Sequence, residues 1–166
     1  MAKQTVFDVR NADYSADLPV LRQIRECVFV HEQRVPLALE WDAIDPDCWH
    51  VLAFDVDGRG IGTGRLTRQR TIGRMAVLPE WRGKGVGHAL LIQLIGLAKA
   101  QQWPEVSLHA QISALDFYRK HGFEAYGPNY REAGIEHRSM RLGLTTLATD
   151  SKPETISSHK PNSVII

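Results

Sequence analysis

The sequence predicts a mixed α/β domain of the α+β type built on a twisted central sheet. Three observations carry this. Strand-like alternation recurs at intervals along the chain. Residues 18–28 carry helical spacing instead, and residues 86–102 form a Leu-, Ile- and Ala-rich run that reads as a mostly buried helix. Three successive strands between His50 and Leu78 have no helix between them, which a regular doubly wound fold does not allow.

Taken in order, Phe7 and Val9 alternate with Asp8 and Arg10 as a first strand. Leu18, Leu21, Ile24 and Val28 then recur at three- and four-residue spacing and share one helical face, with Arg22 and Glu26 turned elsewhere. His31 to Asp47, with Pro36, Pro46 and five acidic residues, reads as a loop or short broken helix. His50–Asp55 and Gly60–Leu66 are strand-like, and Asp57-Gly58 between them is a hairpin turn signal. Thr71–Leu78 is a further strand that stops at Pro79. Val86–Gln102, rich in Leu, Ile and Ala, is a mostly buried helix ended by Trp103-Pro104. Val106, Leu108 and Ala110 alternate with polar neighbours as a strand. Ser113-Ala114-Leu115-Asp116 has capping-box spacing for a short helix, which Gly122 ends. Phe123–Tyr126 and His137–Leu144 are the last strands. Residues 1–144 are expected to form a single domain and 145–166 a flexible or extended tail.

At 166 residues, 43% hydrophobic and 23% charged, the chain can bury a proper core without disulfides or metals. A formal net charge of +1 gives no whole-protein field to recruit nucleic acid or an anionic membrane, so any anion site must be local. Cys27 and Cys48 form no C-x-x-C pair and are too few for a disulfide scaffold. The first residues lack the apolar stretch of a signal peptide, and nowhere do about 18 apolar residues run together. A soluble, cytoplasmic protein is expected.

The chemistry concentrates at Arg82-Gly83-Lys84-Gly85-Val86-Gly87, between a strand and a helix. Unsatisfied amides of a helix's first turn attract anions, and glycine lets the backbone meet phosphate directly. Hydrogen bonds to a charged group contribute about 1.5–3 kcal/mol each against about 0.3–1 kcal/mol for the helix dipole, so aligned amides dominate such a site. A Rossmann spacing from Gly83 requires glycine where His88 stands, and a Walker loop requires Ser or Thr where Gly85 follows Lys84. The spacing that fits is R-x-x-G-x-G, as Arg82, Gly85 and Gly87. A tight strand-to-helix turn without a ligand is the alternative.

This loop resembles the acetyl-coenzyme A motif of the GCN5-related N-acetyltransferase superfamily, a strand followed by R/Q-x-x-G-x-G/A and a helix. Ala114-Leu115-Asp116-Phe117-Tyr118-Arg119-Lys120-His121-Gly122-Phe123 is similar to the superfamily's A-x-x-F-Y-x-K-x-G-F segment. The resemblance extends from about Arg25 to Leu142. Val28-Phe29-Val30-His31-Glu32-Gln33-Arg34-Val35-Pro36, His50 and Ala133-Gly134-Ile135-Glu136-His137 resemble a subgroup of small bacterial acyltransferases with V-F-V-x-E-Q-x-V-P and a late G-I-P-H, whose proline is Glu136 here.

The resemblance implies a mostly antiparallel sheet flanked by helices and splayed between Arg74–Leu78 and Val106–Gln111, with the acyl-pantetheine of acetyl-coenzyme A in the gap. It implies cofactor contacts from Met75, Ala76 and Val77, whose strand amides polarise the thioester carbonyl. It also implies contacts from Arg82, Gly83, Lys84, Gly85, Val86, Gly87 and His88 around the phosphates, and from Gln111, Phe117 and Tyr118. An oxyanion donor of this kind contributes about 2.7–4 kcal/mol. Tyr118 matches the tyrosine that protonates the leaving sulfur, whereas its spacing with Leu115 by itself favours core packing.

Acetyl transfer to an amine also needs a proton acceptor. Glu32, Glu40, Asp42, Asp45, His50, His109 and His137 are all candidates, and each also reads as a solvated or structurally paired residue. Membership of the subgroup motifs raises Glu32 and His137 as base or acceptor-site residues. The acidic stretch from Glu32 to Asp47 is expected to cover the acceptor pocket and favour cationic or neutral amines. Arg65 and Arg74 serve either an acidic acceptor or ordinary salt bridges. No metal is expected, since H-E-x-x-H from His31 fails at Val35, and no G-x-S-x-G supports serine hydrolysis.

Two function classes follow: an N-acetyltransferase acting on a small-molecule or peptide amine, and a non-catalytic acyl-coenzyme A binding or sensing module. The resemblance implies a homodimer, and neither nucleic acid nor membrane is an expected partner.

Overall fold

The alternating segments pair into one seven-stranded sheet in a computed structural model that describes residues 6–144. The strands are β1 (Phe7–Ala12), β2 (Trp49–Asp55), β3 (Gly60–Leu66), β4 (Thr71–Val77), β5 (Glu105–Gln111), β6 (Glu124–Glu132) and β7 (Ile135–Gly143). Their spatial order is β1-β2-β3-β4-β5-β7-β6. Every neighbouring pair is antiparallel except β4 and β5, which run parallel.

That exception positions the site. The β4–β5 ladder holds only Thr71 opposite Ser107 and Ile72 opposite Leu108, after which the two strands part. The rest of β4 toward Val77 and of β5 toward Gln111 borders a gap, the splay that the resemblance implied and periodicity did not reveal.

Helices cover both faces. On one, α3 (Val86–Ala100) and α4 (Leu115–Arg119) bury Leu90, Leu94, Ala98, Leu115 and Tyr118 against Met75, Val77, Leu108 and Met140. The close approach of α3 needs Gly64, where a Cβ would stand 2.7 Å from Leu94 Cδ1. On the other face, α1 (Tyr14–Arg25) buries Leu21 and Ile24 with Leu52, Ala76 and Leu78. Asp13 caps α1 by accepting from the Ala16 amide at 2.8 Å.

The predicted helical face continues beyond α1 as a π-helical segment, Glu26–Glu32, which buries Val28 and Phe29. Its wider turn advances side chains less per residue than an α-helix, so Glu32 and Gln33 come round toward the open end of the gap. The loop expected over 31–47 then holds α2 (Leu37–Glu40) and a 3₁₀ turn at Asp45–Asp47.

Two local expectations are corrected. Ser113 does not cap α4, because residues 112–114 are already a 3₁₀ turn and the capping position falls on Ala114, with no side-chain bond. The strand expected to stop at Tyr126 runs on to Glu132, since a register shift between Tyr126 and Tyr130 absorbs Gly127-Pro128. The predicted tail, 145–166, lies outside the described residues. Among the described residues no helix is long and apolar enough to cross a membrane.

Candidate active site

The glycine loop sits where β4 ends. A 3₁₀ turn at Pro79–Trp81 leads into it, and Gly83 and Gly85 adopt φ of 72° and 86°, the left-handed region that favours glycine. A Cβ at Gly85 would meet nothing within 4 Å, so backbone conformation rather than crowding demands glycine there. Gly85 caps α3 with no side-chain bond, and the first intrahelical bond runs from Ala89 N to Gly85 O at 3.1 Å. The amides of Val86, Gly87 and His88 therefore have no partner within the helix and face the loop.

Arg82 is held by two groups. Its Nε donates to Val77 O at 3.0 Å, and its terminal nitrogens donate to both Glu32 oxygens at 2.7 Å. The bond from Arg82 holds the Glu32 carboxyl below the usual carboxylate range. The loop's arginine and the first base candidate thus occupy each other.

Tyr118 reaches the gap from α4. Its side chain is fully buried, its hydroxyl donates to Met75 Sδ at 3.6 Å, and burial pushes its phenol well above the ordinary value. Met75, Ala76 and Val77 line the β4 side, and Phe117 packs edge-on to Tyr118 at 5.1 Å. His88, in the first turn of α3, meets His121 at 2.6 Å between Nδ1 and Nε2. His121 Nδ1 donates to Phe117 O at 2.9 Å, so α3 and the end of α4 are linked across the mouth of the gap.

Gln111 ends β5, and its side-chain amide pairs reciprocally with Gln33 at 2.9 and 3.0 Å, bridging residues 78 apart. His137 stands opposite Gln111 on β7 and is only 1% exposed. Its Nδ1 lies 2.7 Å from Ile135 O. A carbonyl can only accept, so Nδ1 carries the hydrogen, and Nε2 of the neutral ring presents a lone pair.

The other candidate bases have charged or polar partners, although Glu40 Oε2 is buried with no hydrogen-bond partner among the described residues and burial raises the Glu40 carboxyl. Glu40 and Asp45 accept from Arg25 at 2.7 and 2.9 Å, Asp42 and Asp45 accept from Arg65 at 3.0 and 2.9 Å, and Arg74 lies 3.4 Å from Asp42. Burial opposes ionisation of Asp45, yet bonds and charge from Arg25 and Arg65 bring it down to about 2. Burial lowers Arg74 to about 10, helped by the charge of Arg65. A positive φ of 49° takes Arg74 out of strand alternation and toward these acids. Glu40, Asp42 and Asp45 are therefore paired with arginines from outside the acidic stretch, and Arg65 and Arg74 make salt bridges. His50 Nε2 lies 2.8 Å from Asp45 O, and burial lowers its pKa. His109 Nδ1 is bonded to the Tyr130 hydroxyl.

Sequence reasoning missed Gln33, Tyr130 and Glu132. Gln33 lay inside a quoted motif, whereas Gly127-Pro128 hid the strand that carries the other two.

Comparison with known proteins agrees with this geometry. A family model described as an acetyltransferase (GNAT) domain matches residues 22–144. The Bacillus subtilis uncharacterized N-acetyltransferase YjcF is 33% identical over 121 residues, covering 70% of this chain and 86% of that protein. The crystal structure of an acyl-CoA N-acyltransferase from Pseudomonas aeruginosa superposes with a TM-score of 0.72 at 31% identity, covering 82% of this chain and 99% of that one. Escherichia coli ElaA gives a TM-score of 0.72 at 28% identity, with the same coverage.

Proposed function

The chain belongs to the acetyltransferase (GNAT) domain family, and from that premise we propose that it transfers the acetyl group of acetyl-coenzyme A to an amine of a small molecule or peptide. The observation that carries this reading is the gap between β4 and β5, with the glycine loop and the first turn of α3 at its mouth. The 31% identity to an acyl-CoA N-acyltransferase from Pseudomonas aeruginosa supports it.

The residues fit the cofactor. Glycines with positive φ leave the loop backbone open to a pyrophosphate, and amides of Val86, Gly87 and His88 can donate to it. Lys84 adds positive charge locally. When bound, acetyl-coenzyme A supplies the activated acetyl group as a thioester. Amides in the Met75–Val77 stretch that face β5, left without a partner on that edge by the splay, would polarise the thioester carbonyl. Tyr118 hands its phenolic proton to the departing sulfur. Its high pKa makes it a reluctant acid but keeps it protonated at every working pH.

Of the two base candidates, geometry favours His137 over Glu32. Both Glu32 oxygens are taken by Arg82, while His137 keeps a lone pair on Nε2 one strand away from the gap. The alternative, a non-catalytic acyl-coenzyme A sensor, shares the loop but requires no turnover.

The test is incubation with acetyl-coenzyme A and a metabolite extract, with mass-spectrometric detection of acetylated amines and a parallel free-thiol assay. Acetylated amines and released thiol are expected. Binding of acetyl-coenzyme A with neither product would favour the sensor.

A further inference from the structure

On the face of β5, β7 and β6 turned away from α3 and α4, two buried atoms lack a hydrogen-bond partner among the described residues: His137 Nε2 and Glu132 Oε2. They share a face of one hairpin, because Tyr130 stands opposite His137, Glu132 opposite Ile135, and residues two apart on a strand point the same way. The Tyr130 ring, two residues before Glu132 on β6 and opposite His137 on β7, stacks on His137 at 5.8 Å and 19°. Burial raises the Tyr130 phenol first, and the negative charge of Glu132 adds to that.

Buried acceptors are normally paired, so two on one face call for a donor from outside the chain. The Ile135 carbonyl fixes the His137 hydrogen on Nδ1, leaving Nε2 to accept, and an ionised carboxylate accepts only. Polar neighbours that could donate are engaged: Gln33 and Gln111 with each other, and the Tyr130 hydroxyl with His109. Two acceptors, one of them anionic, complement a group with several N–H bonds and a positive charge. A carboxylate or phosphate would set lone pairs against lone pairs.

We propose, resting on the acyl-transfer reading above, that Glu132 and His137 form the subsite that receives a primary ammonium group of the acceptor. Adjacent strands lie about 4.8 Å apart, so His137 stands one strand from Gln111, which borders the gap. One ammonium proton passes to His137 Nε2 and on to solvent. The freed nitrogen lone pair forms the N–C bond to the acetyl carbon while the C–S bond breaks, and the sulfur takes a proton from Tyr118. A second proton leaves the nitrogen for water, and Tyr118 is reprotonated from solvent. The net change is one amide, one thiol and one proton released. Glu132 keeps its charge throughout and orients the ammonium.

The test reads binding rather than turnover. Histidine ring signals of the full chain are followed by NMR, with those of His137 assigned through His137→Gln. The protein is titrated with methylamine, benzylamine, putrescine and glycinamide, and with benzoate as the anionic control. At least one amine should move the His137 signals saturably while benzoate leaves them in place. Glu132→Gln should weaken that amine about tenfold or more, as expected for a lost hydrogen bond to a charged group. Glu132→Asp, which keeps the charge, should weaken it less. The thermal shift produced by acetyl-coenzyme A should match wild type in both variants.

The proposal is overturned if no amine moves the signals, if benzoate does so, or if Glu132→Gln binds as tightly as wild type. Equal weakening by the Gln and Asp variants overturns the role given to charge. Absence of an acetyl-coenzyme A shift in the wild type would instead count against the acyl-transfer reading, so the two failures are distinct.

Discussion

Arg82 and Glu32 face each other fork to fork, with both terminal guanidinium nitrogens 2.7 Å from a carboxylate oxygen. The contact joins the first residue of the glycine loop to the last residue of the π-helical segment, 50 positions earlier. It couples the wall of the gap to the loop at its mouth, and it occupies both oxygens of Glu32.

Glu32→Gln should accordingly leave turnover within about tenfold of wild type, below the 10²–10⁴-fold loss typical of removing a general base. The pair is partly exposed, at 24% and 37% for the two side chains. Urea denaturation should therefore register a loss of about 1 kcal/mol or less. A turnover loss of a thousandfold would return the base role to Glu32.

His137→Gln should show the larger effect, a fall of about 10²–10⁴-fold in turnover at saturating acetyl-coenzyme A. The acetyl-coenzyme A thermal shift should persist, because His137 lies on β7 and not on the glycine loop. Unchanged turnover, on an acceptor for which chemistry limits the rate, would exclude it as the base.

Gly85→Glu should abolish the thermal shift by acetyl-coenzyme A, which for a ligand at about 100 times its dissociation constant corresponds to about 2.7 kcal/mol of stabilisation. The new side chain meets nothing in the free protein, but φ of 86° costs a non-glycine residue about 1–2 kcal/mol. The variant should fold with a slightly lower melting temperature. A full cofactor shift in a folded Gly85→Glu protein would mean that the loop is not the cofactor site.

Tyr118→Phe should lower turnover by up to about 10²–10⁴-fold and leave cofactor affinity almost unaltered, since the ring and its packing remain. The lost contact is one O–H···S interaction at 3.6 Å, so stability should change by about 1 kcal/mol or less. Wild-type turnover with a chemistry-limited acceptor would return Tyr118 to a packing role.

Asp45→Asn should be the most damaging of these changes to stability, by about 3–5 kcal/mol, because it leaves buried Arg25 and Arg65 short of a counter-charge. The folded carboxyl titrates near 2, below its ordinary 3.8. A depressed folded pKa stabilises the protein above the unfolded value and loses that stabilisation as pH falls through the folded one. Its share, about 2 kcal/mol, should be intact at pH 5 and fade from about pH 4 toward pH 2. Denaturation midpoints of wild type and Asp45→Asn across that range should converge by this amount.

Much of the glycine loop and its flanking elements was legible in the linear sequence because it is local. Gly83 and Gly85 are required by backbone angles that a side chain would strain, and α3 follows directly, so six consecutive residues specify a glycine turn into a helix N-terminus. Tyr118 is fixed by its own short helix. Periodicity placed six of the seven strands to within a few residues, and the one that ran long, β6, did so where Gly127-Pro128 breaks the alternation while neighbouring β7 still pairs across it.

The contacts at the open end of the gap were decided by tertiary structure. Gln33 and Gln111 meet across 78 residues, and Glu32 meets Arg82 across 50. Glu40, Asp42 and Asp45 look like a free acidic stretch until folding brings Arg25, Arg65 and Arg74 against them. A charge's partner depends on which elements pack together, and no local spacing encodes it. The lone pair on His137 is of the same kind: the residue is visible in the sequence, but only the bond to Ile135 O determines which ring nitrogen can take a proton.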